Sequence, residues 1–404
     1  MADETTTTTL LDAGLSRRRF LQGTALAGFG AFLAACGGGA TPAPSGAPGE
    51  SAEPGDGGEI TGPLNWANWP AYIDLNEDES ASPTLEGYQA KYGIEVNYVE
   101  DIQSNEDFFA TISPALQAGL DSGWDLMCLT DYMVARLAGL GWLDEIDPAN
   151  VPNAVSNVND NLKGIEWDPD FKYHFPYQSG ADGIGYNVKS TGRDLTSIAD
   201  MFDPAFKGKL TFLTGYQDTF AFVNLLLLDR GEVSNTPPDM TNEDADKVYA
   251  FLKPYVDDGF IRAFTGNEYL QDFASGDTWV ALVYSGDLAS SGGPDDVFVY
   301  PDEGSIIWTD NFCIPKGAQH KRAAEAMIDY CYDPLIAAQM ANWIYYLSPV
   351  KGAKEEIIKL DPEAADNQLL FPPPEVQAKS YPQPNLTTEE DAYFSDLSAK
   401  LEGA

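Results

Sequence analysis

The chain has 404 residues, 44% of them apolar, enough to build cores in two or three domains of roughly 100–200 residues each. Lys and Arg total 23 against 63 Asp and Glu, a formal charge of −40, which excludes a nucleic-acid surface held by phosphate contacts and counterion release. The same acidity favours encounter with cations or serves solubility alone, so charge by itself names no ligand.

In chain order, Arg17-Arg18-Arg19-Phe20-Leu21 precedes an apolar run from Gly23 to Ala35 that is too short and too rich in Gly and Ala for a mature membrane helix. Residues 1–35 read as an export signal of the twin-arginine type. Leu33-Ala34-Ala35-Cys36 resembles the lipobox of bacterial lipoproteins, in which the cysteine thiol becomes the lipid attachment point. Residues 36–61, rich in Gly, Pro and Ser, bury too little apolar surface to fold and are expected to form a flexible tether. Removing residues 1–35 takes away three arginines and three acids and leaves 20 bases against 60 acids, so the exported part carries the charge.

Beyond the tether, strand-like and helix-like segments alternate, and no further apolar stretch approaches the roughly 18 residues of a membrane span. Leu64–Trp66 is a predicted first strand, the alternation of Ile94, Val96 and Tyr98 a second, and Asp125–Leu129 a short buried third. Between the last two, Ser104 with Asp107 offers a capping box for a helix carrying Phe108, Ile112 and Leu116, with a kink expected at Pro114. Such βαβ units predict a parallel sheet. A second set begins at Lys209–Leu213 and continues through helices around Phe220–Leu228 and Asn242–Val256 to a buried strand at Trp279–Tyr284. A strand around Asn311–Ile314 and helices over Lys321–Tyr332 and Leu335–Tyr345, broken by Pro334, complete an α/β chain of two lobes. Cys128, Cys313 and Cys331 have no zinc-like spacing and read as small buried residues, with a single Cys313–Cys331 bridge left open.

Hydrolase and phosphate-binding readings fail on residue supply. The two histidines, His174 and His320, stand in no HExxH or GxSxG setting, and neither a Walker A motif nor GxGxxG occurs. A glycosidase needs only two carboxylates, and among 63 acids no pair is singled out. What stands out is aromatics beside acids or small polar residues, placed by the predicted elements at the C-terminal ends of strands: Asn68-Trp69-Pro70-Ala71-Tyr72, Thr130-Asp131-Tyr132, Tyr284-Ser285-Gly286-Asp287 and Trp308-Thr309-Asp310. Those ends face the ligand crevice of open α/β sheets. Taken singly, each aromatic is explained by core packing and each acid by a helix cap. Together they suit a slender cation, because carboxylates anchor ammonium groups and aromatic faces attract the charge and cover the methylenes between.

From Leu64 to about Lys359 these landmarks, with Phe175-Pro176-Tyr177, Gly183-Ile184-Gly185-Tyr186-Asn187, Phe206-Lys207-Gly208-Lys209-Leu210, Pro301-Asp302-Glu303-Gly304 and Tyr345-Tyr346-Leu347-Ser348-Pro349, occur in the order that resembles the bacterial spermidine/putrescine-binding proteins, the extracytoplasmic receptors of polyamine ABC importers. The resemblance implies a two-lobed periplasmic-binding-protein fold of type II, each lobe a mostly parallel sheet flanked by helices, with residues 62–180 plus 309–355 as one lobe and 181–308 plus 356–404 as the other. It further implies a monomer that is no enzyme, uses no cofactor or metal, captures a polyamine between lobes that close on it, and hands it to a permease at the membrane surface, held there through Cys36.

By the same resemblance Trp69 covers the aliphatic chain with Tyr72 beside it. Thr130, Tyr132 and Tyr346 line the wall, while Asp218, Tyr284, Asp287, Trp308 and Asp310 supply acids and aromatics. Asp131 and Asp182 are acids at positions usually neutral in that family and are candidates from this sequence alone. Pro70 and Ala71 replace polar or acidic positions, and an acid expected near Gly215 is absent, so one amine anchor is missing or supplied by Asp131, Asp182 or Asp287. Another small solute on the same fold stays open, as does a ferric-ion receptor using the adjacent Tyr345 and Tyr346.

Overall fold

The structure is a computed structural model that describes residues 58–384 and 386–403. The arginine cluster, Cys36 and the tether as far as residue 57 lie outside the described residues. The strands are β1 (Leu64–Asn68), β2 (Val96–Glu100), β3 (Leu126–Thr130), β4 (His174–Asn187), β5 (Leu210–Leu213), β6 (Ile261–Thr265), β7 (Val280–Tyr284), β8 (Asp296–Val299), β9 (Ser305–Cys313) and β10 (Ser380–Pro382). They follow the order β2-β1-β3-β9-β4-β7-β5-β6, with β8 added to β4 and β10 to β9.

Each half contains a parallel trio, as the βαβ pattern predicts. β1 lies between β2 and β3, and β5 lies between β6 and β7. The uninterrupted apolar run of β3 is buried at every residue, which fits a strand covered on both faces. Its alternation feeds two cores. Leu126 and Cys128 pack with Trp66, Phe312 and the helices Lys321–Cys331 and Pro334–Ile344, whereas Met127 and Leu129 pack with Phe108, Ile112 and Met133. Ser104 caps the helix Asn105–Gln117 by accepting from Asp107 N–H at 3.1 Å, and that helix runs on through Pro114. The second half has a separate core around Phe212, Phe220, Val283 and Leu288.

What joins the halves is a pair of long antiparallel strands. β4 pairs with β9 from His174 to Ala181 and then with β7 from Asp182 to Tyr186. β9 in turn pairs with β3, placing Asp310 opposite both Thr130 and Gln178. Trp308-Thr309-Asp310 therefore sits inside a nine-residue strand rather than after one.

Two other expectations change. Ile357, Ala364 and Leu370 pack with Ala338 and Ala341 of the helix Pro334–Ile344, so the packing of the first half continues past residue 355. The chain returns to the second half with β10 and the helix Thr388–Glu402, whose Phe394 and Leu401 enter that core. Cys128, Cys313 and Cys331 are buried and free. The Cys313–Cys331 bridge left open from the sequence does not form, because the two thiols belong to cores on opposite faces of the sheet.

Gly180 lies where β4 crosses between the cores. A Cβ there would stand 2.6 Å from Trp308 Cη2 and 2.8 Å from Tyr346 Cε1. Gly180→Val is expected to lower the free energy of unfolding by about 1–3 kcal/mol through overpacking, measured by chemical denaturation. An unaltered midpoint would mean that both rings retreat without cost.

Candidate functional site

A cavity whose empty space, open mouth included, is about 620 Å³ lies between the two halves. The turn after β1 supplies Trp69, Pro70, Ala71 and Tyr72. The indole is fixed by Nε1 donating to the Cys128 carbonyl at 3.0 Å, and Tyr72 is wedged edge-on against Tyr177 and Tyr346, with ring centroids 5.2 and 5.4 Å away. Thr130 ends β3, where its hydroxyl donates to Asp310 Oδ1 at 2.7 Å and accepts from Asn105 Nδ2 at 2.9 Å. Tyr132 donates to Glu106 at 2.8 Å.

From the second half come Asp218, in the first turn of the helix Tyr216–Asp229, Tyr284 at the end of β7, and Asp287, in the first turn of the helix Ser285–Ser291. Asp287 is saturated with donors: Asn267 Nδ2 and Tyr269 O–H at 2.6 Å on one oxygen, and Tyr346 O–H at 2.7 Å on the other. That last bond and the one from Gln217 Nε2 to Glu106 at 3.2 Å tie the two halves together across the cavity.

The acids share an electrostatic condition. Burial pushes Asp310 up to about 7 despite the Thr130 hydroxyl, with Asp131 and Asp218 adding repulsion. Burial likewise lifts Asp218 to about 6, and it raises Asp287 although three neutral donors oppose the rise. The Tyr72 hydroxyl lies close enough to Asp310 to favour its charge, yet it makes no bond within hydrogen-bonding geometry. No Lys, Arg or His among the described residues forms an ion pair with Asp218, Asp287 or Asp310, although such pairs are common on the surface. The arrangement can receive positive charge between aromatic walls.

Ten of the twelve residues singled out from the sequence line this cavity: Trp69, Tyr72, Thr130, Tyr132, Asp218, Tyr284, Asp287, Trp308, Asp310 and Tyr346. Asp131 and Asp182 do not line it. Asp131 opens the helix Asp131–Gly139, and its carboxyl turns to Asn311 Nδ2 at 2.6 Å. Asp182 lies behind Trp308 and accepts from its Nε1 at 3.0 Å. Tyr345, with φ of 60°, turns towards the Ala338 and Leu370 cluster while Tyr346 enters the cavity, so the adjacent tyrosines do not converge.

Asn105, Asn267, Ser290 and Gln383 line the cavity without having been picked out. Asn267 follows β6 as Tyr284 ends β7, so the strand-end argument reaches it; Gln383 follows a three-residue strand that no periodicity reveals.

Residues 84–372 match the family of bacterial extracellular solute-binding proteins. The chain belongs to this family. Among relatives, the spermidine/putrescine-binding periplasmic protein of Escherichia coli (strain K12) is 28% identical over 76% of this chain and 83% of its own length. The putrescine/cadaverine-binding protein of Pseudomonas aeruginosa is 27% identical over 83% of this chain and 92% of its own. The substrate-binding protein PotD of a Streptococcus pneumoniae spermidine/putrescine ABC transporter superposes with a TM-score of 0.67 at 22% identity, covering 84% of this chain and 98% of that one. The TpPotD lipoprotein of Treponema pallidum gives 0.68 at 20%, covering 84% and 99%. These likenesses show the two-lobed fold of periplasmic solute-binding proteins.

A carboxyl whose midpoint rises on folding holds its proton more tightly folded than unfolded. Its favourable contribution is complete below the ordinary value and is lost as pH rises through the folded one. For Asp310 that window runs from 3.8 to about 7. Asp310→Asn is therefore expected to flatten the fall in stability between pH 4 and 7 by up to about 1.4 kcal/mol per pH unit, measured by denaturation of the ligand-free protein across that range. Parallel wild-type and variant curves would refute this placement of the titration.

Proposed function

We propose that this solute-binding protein captures a linear polyamine of the putrescine/spermidine class and delivers it to an ABC importer. The observation that carries the reading is Asp310, a 5%-exposed carboxyl with one oxygen on Thr130 and no base beside it, set between Trp308 and Tyr72. An ammonium group placed there restores the charge state that burial disfavours. Two unit charges about 4 Å apart at an effective dielectric near 20 attract by about 4 kcal/mol before desolvation. Trp69, Tyr72 and Tyr284 are suited to covering the methylenes between charged ends, where cation–π attraction adds about 0.5–2 kcal/mol. The polyamine names of the relatives support the same class.

Capture follows from the ligand touching both lobes. A solute shifts an open–closed equilibrium only by its differential affinity for the two states. Trp69, Tyr72 and Thr130 on one side and Asp218 and Tyr284 on the other meet it together only when the cleft is shut. Asp310, on the strand shared by both lobes, is the anchor that stays in place. The same reading takes residues 1–35 as a twin-arginine export signal and Cys36 as the lipid-bearing residue of a monomer held at the outer face of the membrane, on the strength of the Arg17-Arg18-Arg19 and Leu33-Ala34-Ala35-Cys36 motifs.

In a thermal-shift screen of putrescine, spermidine, spermine, amino acids and sugars, the polyamines are expected to raise the melting temperature by mass action. Stabilisation by a sugar or amino acid alone would replace this reading. Asp310→Ala is expected to weaken polyamine binding by about 2–5 kcal/mol, a rise in Kd of about thirtyfold or more read by calorimetry, with the circular dichroism of the wild type; equal affinity would remove Asp310 from the site. Because protons compete for Asp310 and Asp218, wild-type affinity is expected to fall between pH 8 and pH 6, approaching about tenfold per unit below the midpoint of each acid. A flat calorimetric profile would show that neither acid meets the amine.

A further inference from the structure

Behind the cleft wall lies a carboxyl group that the capture of a cation does not use directly. Asp182 is fully buried on β4, opposite Tyr284 of β7. Its Oδ1 accepts from Trp308 Nε1 at 3.0 Å, and its Oδ2 has no donor among the described residues. The Asp218 carboxyl lies near enough to Asp182 for each acid to bear on the other's ionisation, and it already accepts from Gln383 Nε2 at 2.6 Å and from Tyr284 O–H at 3.4 Å. The other ionisable groups that bear on the pair are Glu106 from the helix Asn105–Gln117, Tyr132 on the helix Asp131–Gly139, Asp310 on β9, and Tyr284, which also feels Asp287. All are acids or phenols.

Two neighbouring carboxyl groups away from water are not both ionised readily, since a like charge close by raises the midpoint of one of them strongly. A single proton turns the clash into a short charge-assisted hydrogen bond. It also gives the orphaned Oδ2 of Asp182 a role, as the donor.

We propose that Asp182 is a proton-carrying positioning residue: its protonated carboxyl donates to Asp218 and accepts from Trp308, so that Asp218 alone of the pair presents charge to the cleft and the indole of Trp308 is held against it. The proton itself is a property of the ligand-free protein, whereas its effect on affinity rests on the reading of the cleft as an amine site. Asparagine reproduces both bonds, with its amide donating to Asp218 and its carbonyl accepting from Trp308; leucine reproduces neither.

The test is made on the full chain. At pH 8, infrared difference spectra of the ligand-free protein against Asp182→Asn are expected to show the carbonyl band of a protonated carboxylic acid in the wild type and its loss in the variant. Absence of that band overturns the proposal whatever the cleft binds. In putrescine calorimetry, Asp182→Asn is expected to stay within about threefold of wild type, and Asp182→Leu to weaken binding by about thirtyfold or more. An Asn variant as weak as the Leu variant would make Asp182 an ionised anchor and overturn the proposal. If the wild type binds neither putrescine nor spermidine, the amine reading fails, and the infrared band still decides the protonation of Asp182.

Discussion

Carboxyl groups buried together without a base beside them are the condition on which this molecule turns. Asp218, Asp287 and Asp310 are met by hydroxyl and amide donors from Tyr284, Gln383, Tyr269, Tyr346, Asn267 and Thr130. Neutral donors orient a carboxylate and soften its desolvation, but they bring no positive charge. A surface acid would find a lysine or water. These acids find each other, and burial holds them up against their own ionisation. A cation entering the cleft therefore meets a deficit that the fold has already set up.

The location of that deficit follows from the architecture. The two halves have cores of their own, and among the described residues the long strands β4 and β9 pass from one to the other. A seam between two cores can hold unpaired polar groups that a continuous apolar interior would not tolerate, because each core supplies its own stability on either side. The seam also puts strand ends and helix starts face to face. Asp218 and Asp287 stand in first helical turns, where the macrodipole favours a carboxylate and offsets part of its desolvation. Trp69 and Thr130 stand at the ends of β1 and β3 on the opposite bank. Tyr346 crosses the seam to Asp287, and Gln217 crosses it to Glu106, so closure is registered by polar contacts at two points as well as by the ligand.

Much of this was legible in the chain. Period-two alternation and short apolar runs located the central residues of β1, β3, β5 and β7, and Pro334 placed the break between two helices at the residue where the second begins. Strand-end reasoning brought together Trp69, Thr130, Tyr284 and Asp287. It failed for Trp308 and Asp310, which belong to the cleft because the middle of β9 crosses it. Asp131 and Asp310 show the limit from the other side. They are near neighbours across β3 and β9, yet Asp131 begins a helix and turns to Asn311, while Asp310 keeps the strand alternation and faces the cleft. The few apolar residues Ile357, Ala364 and Leu370 do not reveal by composition that they pack with Ala338 and Ala341, whereas Phe394 and Leu401 farther on enter the core of the second half.

By itself the sequence determined the α/β alternation and the acidic and aromatic character of the strand ends, since these are properties of residue type and local spacing. Only the tertiary structure decided which acids look into the cleft and which look at each other. That choice depends on strand register and on which lobe supplies the opposite wall, and both are set by contacts between residues far apart in the chain: Thr130 with Asp310, Tyr284 with Asp182, and Tyr346 with Asp287 by way of two separate elements.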